Sequence, residues 1–194
     1  YNQWQEVHAS DNTSRIIDYR ASTGLKYKIA QGFTFNLLYQ FNKGRREEEA
    51  HMSEQTYFTR HLFNKFSQLS GGEVIHNVPQ GGIADRLNEE YRAHNARAQL
   101  NSTHAWQDKT DKFHNLTALV GLEVRDITVE TNISRLFNYY KGVNQGRRLD
   151  STTFPVFYPP QIRESIENPF RDRELVDRYI SYYFSGNYTF DKRY

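Results

Sequence analysis

The chain has no cysteine among its 194 residues, so it has neither a disulfide framework nor a thiolate site. It also lacks any run of about 18 apolar residues, which excludes a transmembrane helix. An excess of charge of one sign is missing too. The 25 Lys and Arg against 23 Asp and Glu leave a net charge of +2, which gives no electrostatic footprint for nucleic acid as a partner. The seven His (8, 51, 61, 76, 94, 104 and 114) show no close ligand spacing of the H-E-x-x-H kind. No G-x-S-x-G or phosphate-loop pattern occurs either. The residues therefore offer no catalytic group, metal ligand or cofactor site, and the expectation is a protein that is not an enzyme. A mean hydropathy of -0.85 suits a soluble protein. It equally suits a membrane β-barrel, which hides its apolar residues in alternation and adds large polar loops. The chain begins at Tyr1 without a leader, as expected of a processed form or an internal piece.

What the sequence does have is aromatic content, with 14 Tyr and 13 Phe, arranged with a period of two. From Phe33 the odd places read Phe33, Phe35, Leu37, Tyr39, Phe41, while Thr34, Asn36 and Gln40 fill even places and Leu38 is the exception. Before them Ile17, Tyr19, Ala21, Thr23, Leu25, Tyr27 and Ile29 alternate with Asp18, Arg20, Ser22, Lys26 and Lys28. Period two sends alternate side chains to opposite faces of a strand, and Ala30-Gln31-Gly32 is short enough for a hairpin turn. Three further runs follow, from Tyr91 to Trp106, about His114 to Arg125, and Tyr179 to Phe190. The spacing predicts five strands near 15–29, 33–42, 91–106, 112–127 and 178–190.

The connections alternate between a few residues and about 50. The long ones, 43–90 and 128–177, exceed what a compact domain usually carries. They match the asymmetry of an outer-membrane barrel, short turns on one side and long extracellular loops on the other. Within the first, Tyr57, Phe58, His61, Leu62, Phe66 and Leu69 have helical spacing. Residues 1 to 14 are polar, and Asp11-Asn12-Thr13-Ser14 reads as loop. Tyr27, Phe33, Trp106, Tyr188 and Phe190 lie near short turns, where an interfacial aromatic girdle belongs.

The expected fold class is all-β: a segment of about five antiparallel strands from a large transmembrane β-barrel with long extracellular loops. Five strands cannot close such a wall, because an open edge in lipid leaves backbone groups unpaired. Lipid-facing residues are expected at Phe33, Phe35, Leu37, Tyr39, Leu116, Val120, Leu122, Tyr182 and Phe184. Lumen-facing candidates for contact with a solute are Arg20, Asn36, Gln40, Asn95, Arg97, Gln99 and Asn101. Tyr139, Tyr140, Phe157 and Tyr158 are loop aromatics that could stack on a solute or meet a lid protein; packing within the loop is the plainer reading.

Several stretches resemble the SusC/RagA family of TonB-dependent outer-membrane transporters from Bacteroidetes. They are Asp18-Tyr19-Arg20 with Gly24-Leu25-Lys26-Tyr27 ahead of Gly32-Phe33-Thr34, Pro79-Gln80-Gly81-Gly82, Arg97-Ala98-Gln99-Leu100-Asn101 and Gly121-Leu122-Glu123. The longest runs from Ser181 through Tyr182-Tyr183-Phe184-Ser185-Gly186-Asn187-Tyr188 to Tyr194. The resemblance implies a bacterial outer-membrane barrel of about 22 strands with an N-terminal plug, absent from this chain, that is energised by the TonB complex. It further implies a SusD-like surface lipoprotein as partner and an oligosaccharide or peptide nutrient as solute. The alternatives are a soluble or surface-exposed carbohydrate-binding β-sandwich and a non-transporting outer-membrane barrel.

Overall fold

The computed structural model describes residues 3–143, 145–149, 155–157 and 162–191. Strand accounts for 72% and helix for 9%, and the sheets are antiparallel, so the all-β class holds. The order is α1 (Gln3–Ala9), β1 (Ser10–Ala30), β2 (Phe33–Met52), α2 (Tyr57–Lys65), β3 (Ser67–Ser70), β4 (Glu73–His76), β5 (Gly82–Gln107), β6 (Phe113–Tyr140), β7 (Gln145–Arg147), β8 (Val156–Phe157), β9 (Ile162–Arg163) and β10 (Arg171–Phe190). The main sheet runs β1-β2-β5-β6-β10, with β7 added against β6; β3-β4 and β8-β9 form two small hairpin sheets. Among the described residues no ladder joins β1 to β10, so no closed barrel is formed by these strands.

The five long strands lie where alternation places them, but they run further into both predicted loops. β2 continues to Met52, β5 starts at Gly82, β6 continues to Tyr140 and β10 starts at Arg171. Of the predicted loops 43–90 and 128–177, much of each is therefore strand. The physical reason is that a ladder is made by backbone groups, while the period-two signal needs one apolar face. Arg45-Arg46-Glu47-Glu48-Glu49 reads as a solvated charge cluster in sequence. In the strand its charges pair two residues apart on each face, Arg45 with Glu47 at 2.6 Å and Arg46 with Glu48 at 2.5 Å. The polar N-terminus is likewise ordered: residues 3–9 form α1, and Asp11 to Ser14 open β1 rather than forming a loop.

Contacts divide the chain into two units, each followed separately. The first comprises 1–17, 45–90 and 130–173 and holds the long connections. Thr56 caps α2, its hydroxyl accepting from the Thr59 amide, and the helix ends at Phe66. Leu62, Phe66, Val78, Ile83, Phe137 and Ile166 form its core, with Phe58, Phe63, Met52 and Leu149 packed around them. Beside this core Arg135 of β6 donates through Nε and Nη2 to the two carboxylate oxygens of Asp85 on β5, at 2.6 and 2.7 Å. Its Nη1 donates to the Glu167 carbonyl at 3.1 Å, and its guanidinium lies 5.2 Å from the Phe58 ring of α2. One nearly buried cation thus ties two strands, the helix and the second long connection. Hydrogen bonding to Asp85 holds the guanidinium charged, against the cost of burial.

The second unit comprises 18–44, 91–129 and 174–194, with the short turns. In the first turn Gly32 has φ of 85°, and a Cβ there would lie 2.5 Å from the Thr103 carbonyl oxygen. That close approach lets the Gly32 carbonyl accept from the Thr103 amide at 2.8 Å, docking the hairpin tip on β5. In the second turn the Asp108 carboxylate accepts from the Thr110 hydroxyl at 2.7 Å and from the amides of Thr110 and Lys112 at 2.8 and 3.0 Å. These donors, with His114 nearby, hold its pKa well below the usual carboxylate range.

Two outcomes follow from this architecture. Arg135→Ala leaves Asp85 without its counterion and should destabilise the first unit by about 2–3 kcal/mol, less than a fully buried pair because Asp85 is partly exposed. Hydrogen exchange should then quicken in α2 and around Glu167 while β1 to Ala30 stays protected. The lowered pKa of Asp108 means that its stabilisation is present above the ordinary carboxylate range and lost as pH falls through the lowered value. Asp108→Asn should therefore flatten the acid limb of melting temperature against pH, as read by circular dichroism.

Candidate functional site: the polar face of the sheet

Each cross-strand register in the second unit is pinned by side-chain contacts that also reveal which residues share a face. On β1 and β2, Arg20 Nε donates to Asn42 Oδ1 at 3.1 Å, and a Cβ at Gly24 would stand 3.7 Å from the Leu38 side chain. Like parities therefore share a face on these strands. From β2 to β5 the parity changes: Tyr39 Oη lies 2.8 Å from His94 Nδ1, and the Phe41 ring 4.9 Å from that imidazole. Arg97 with Glu123, and Trp106 stacked on His114 at 5.1 Å, relate β5 to β6. Asp126 with Arg178 at 2.8 Å, and His114 with Tyr188 at 2.6 Å, relate β6 to β10.

One face then carries Phe33, Phe35, Leu37 and Tyr39 from β2, Leu116, Val120 and Leu122 from β6, and Tyr182 and Phe184 from β10, all nine residues expected to meet lipid. Seven of the nine are exposed, and Phe35 and Leu122 are half-buried. Tyr182 is 80% exposed and Phe184 76%, and among the described residues of this unit Ala93 is the only hydrophobic side chain that is buried.

The opposite face collects Arg20, Asn36, Gln40, Asn95, Arg97, Gln99 and Asn101, the seven polar candidates. Five of them, Arg20, Gln40, Arg97, Gln99 and Asn101, are tied to neighbours by hydrogen bonds. Gln40 Nε2 and Arg20 Nε both donate to Asn42 Oδ1, each at 3.1 Å. Arg97 donates through Nε and Nη2 to one oxygen of Glu123, at 3.1 and 2.8 Å. Gln99 Nε2 donates to Asn101 Oδ1 at 2.5 Å and its Oε1 accepts from Tyr183 at 3.2 Å. A cleft of about 290 Å³ opens between Arg20, Gln40, Asn95, Arg97, Glu123 and Arg125, with Leu38, Asn42 and Tyr91 also lining it. The Arg125 guanidinium lies 5.8 Å from the Tyr179 ring. Among the described residues its Nε–H and the Asn95 Oδ1 are buried without a hydrogen-bond partner.

Sequence reasoning passed over Asn42 and Tyr183 as members of this site, while alternation already puts Glu123 and Arg125 on the inward face, though not among the solute candidates. The overlooked signal for Tyr183 is Gly121, a glycine inside a strand, which marks a close approach. Tyr183 lies across it: a Cβ at Gly121 would stand 2.1 Å from Tyr183 Cζ.

The loop aromatics need correction. Tyr139 belongs to β6 and is 2% exposed, so it cannot stack on a solute or a lid. Its hydroxyl donates to Glu49 Oε1 at 3.0 Å and accepts from Arg86 Nη2 at 3.0 Å, bonds made to residues some 50 and 90 positions away and invisible in local sequence. Tyr140, the last residue of β6, is 52% exposed and stays on the surface. Phe157 has only its backbone described, in β8, and Tyr158 lies outside the described residues. Among the described residues no group of three or more His, Cys, Asp or Glu is placed to hold a metal ion. Among the described residues no helix is long and apolar enough to cross a membrane.

Gly121→Ala should expel Tyr183 from its seat and break the bond to Gln99, costing about 1–3 kcal/mol as an overpacking change. Adding Tyr183→Ser should recover most of that loss, so a double-mutant cycle by thermal unfolding should give a strong coupling between the two positions. No family model matches the chain, and a search of curated proteins likewise found no match.

Proposed function

We propose that the chain is part of the wall of a large outer-membrane β-barrel that imports a glycan or peptide nutrient, acting with a SusD-like surface lipoprotein and energised through TonB. The observation that carries this reading is the exposed apolar face of the second unit. A water-soluble sheet buries one face against a core, yet here large aromatic and aliphatic side chains are exposed.

The extent of that face supports lipid as its solvent. On β6 it runs from His114 to Val124 and on β10 from Ile180 to Phe190, ten residue steps each. At about 3.4 Å per residue and a tilt of about 40°, that is a height of about 26 Å, close to the roughly 25 Å band of membrane barrels. One end carries the Trp106, His114 and Tyr188 ring cluster, as an interfacial girdle would. The other is closed by the Asp126–Arg178 ion pair, two residues beyond Val124 and Ile180. Short connections at 31–32 and 108–112 alternate with long ones at 53–81 and 141–170, in keeping with this assignment. The unpaired edges of β1 and β10 would be joined by further strands, since backbone groups left open in lipid cost several kcal/mol each. In this reading the polar face lines the lumen, and transport needs no covalent chemistry.

A substitution pair separates lipid from water. Val120→Arg, on the apolar face, should cost about 2–4 kcal/mol and sharply reduce membrane assembly. Ser185→Arg, on the polar face, should leave assembly within twofold of the parent, as measured by heat-modifiable mobility of detergent-extracted protein. Equal tolerance of both changes would sink the membrane reading. A normally assembled protein whose deletion leaves uptake of glycans and peptides unchanged would instead favour a non-transporting barrel.

A further inference from the structure

The cleft on the polar face has a more specific chemistry than a solvated channel wall requires. We infer that it is a subsite for a carboxylate group of the solute, one that carries a hydroxyl or amide N–H beside the carboxylate. The inference rests on the reading of this face as lumen lining.

Three guanidinium groups, Arg20, Arg97 and Arg125, line the cleft against a single carboxylate, Glu123. The excess of two positive charges favours an anion. The three arginines are not equivalent. Arg97 is occupied by Glu123, and Arg20 is oriented by Asn42. The Arg125 guanidinium carbon lies over the Tyr179 ring at 5.8 Å, while its Nε–H is buried and unmatched among the described residues. A buried donor left unmade is costly, and more so on a charged group. That hydrogen therefore calls for an acceptor, and an anionic one makes the stronger bond.

The second unmatched atom narrows the ligand further. Arg97 faces Glu123 across β5 and β6, so two steps along, Asn95 faces Arg125. An unmatched acceptor, Asn95 Oδ1, and an unmatched cationic donor, Arg125 Nε, thus belong to residues that line the same cleft. Phosphate, sulfate or a bare carboxylate satisfies the donor and leaves the acceptor empty. A group that accepts at one atom and donates from its neighbour satisfies both. Uronic acid residues do this with a carboxylate and a ring hydroxyl; acidic peptides do it with a carboxylate and a backbone N–H. At about 290 Å³ the cleft is at the small end of ligand sites, room for one such residue rather than a chain.

The test uses the full-length protein extracted in detergent, with binding measured by calorimetry. The probes are a galacturonate trimer against a galactose trimer, and a Glu-containing tripeptide against its Gln counterpart, with inorganic sulfate as a bare anion. The expected result is that one acidic probe binds at least tenfold tighter than its neutral partner, and that sulfate fails to compete. Which acidic probe wins identifies the source of the carboxylate. Arg125→Gln should abolish the preference, and Asn95→Leu should reduce it while leaving the thermal midpoint of the protein within a few degrees. Arg20→Gln serves as a second charge variant and should weaken acid binding without touching the unmatched pair. Equal binding of acidic and neutral probes overturns the inference. So does an acid preference that survives Arg125→Gln, or variants that change only thermal stability. Acid preference in a protein that needs no detergent would retain the subsite and sink the lumen reading. A well-assembled membrane protein without the preference would do the reverse.

Discussion

A strand has two faces, and moving its register by one residue exchanges them. Everything in the second unit depends on that constraint being met at four neighbouring ladders at once. Arg20 with Asn42, Tyr39 with His94, Arg97 with Glu123, and Asp126 with Arg178 each join adjacent strands, and each is satisfied in one register only. Two of these pairs lie on the polar face and two at the margins of the apolar one. A slip anywhere would carry Lys26, Arg97 or Arg125 into the apolar band and Phe35 or Leu122 into the polar cleft. Exposed polar pairs of this kind add little stability individually. Their value is that they penalise the wrong alignment.

The first unit meets a different demand, which is to give long connections a core. Arg135 does so from a strand, by reaching a carboxylate, a backbone carbonyl and an aromatic ring from three other segments. The apolar cluster around Phe66, Phe137 and Ile83 fills the space beside it. A buried pair such as Arg135–Asp85 contributes less to net stability than to uniqueness, because its desolvation offsets much of its attraction. Asp11 and Lys141 form a further ion pair in this unit, exposed, which lowers the carboxyl's pKa and raises that of the ammonium by mutual hydrogen bonding.

How far the sequence could be read follows from these two demands. In the second unit the apolar and polar partners of a strand alternate along the chain, so Phe33 to Phe41 and His114 to Arg125 reveal both their strands and their faces. The α2 helix is visible for the same reason, through the spacing of Phe58, Leu62 and Phe66. The continuations 43–52, 82–90 and 128–140 are hidden because charges occupy both faces, and a backbone ladder leaves no mark on side-chain pattern. The burial of Tyr139 is hidden because its partners Glu49 and Arg86 are distant. The polar residues of the candidate site are recognisable as a set. The unmatched pair within it is not, since it depends on the register between Asn95 and Arg125.

The tight seat of Gly32 against Thr103 has a kinetic side. The first hairpin closes locally, with about twenty residues on each side of a tight turn, on the microsecond scale typical of hairpins. The third long strand must then travel across some 70 residues of intervening chain to find it. What it finds at the tip is a carbonyl presented by a left-handed backbone, with no side chain in the way. Any other residue there would leave the local hairpin able to form and the distant strand unable to seat. The glycine thus couples the conformation of a local turn to the seating of a strand that is distant in the chain.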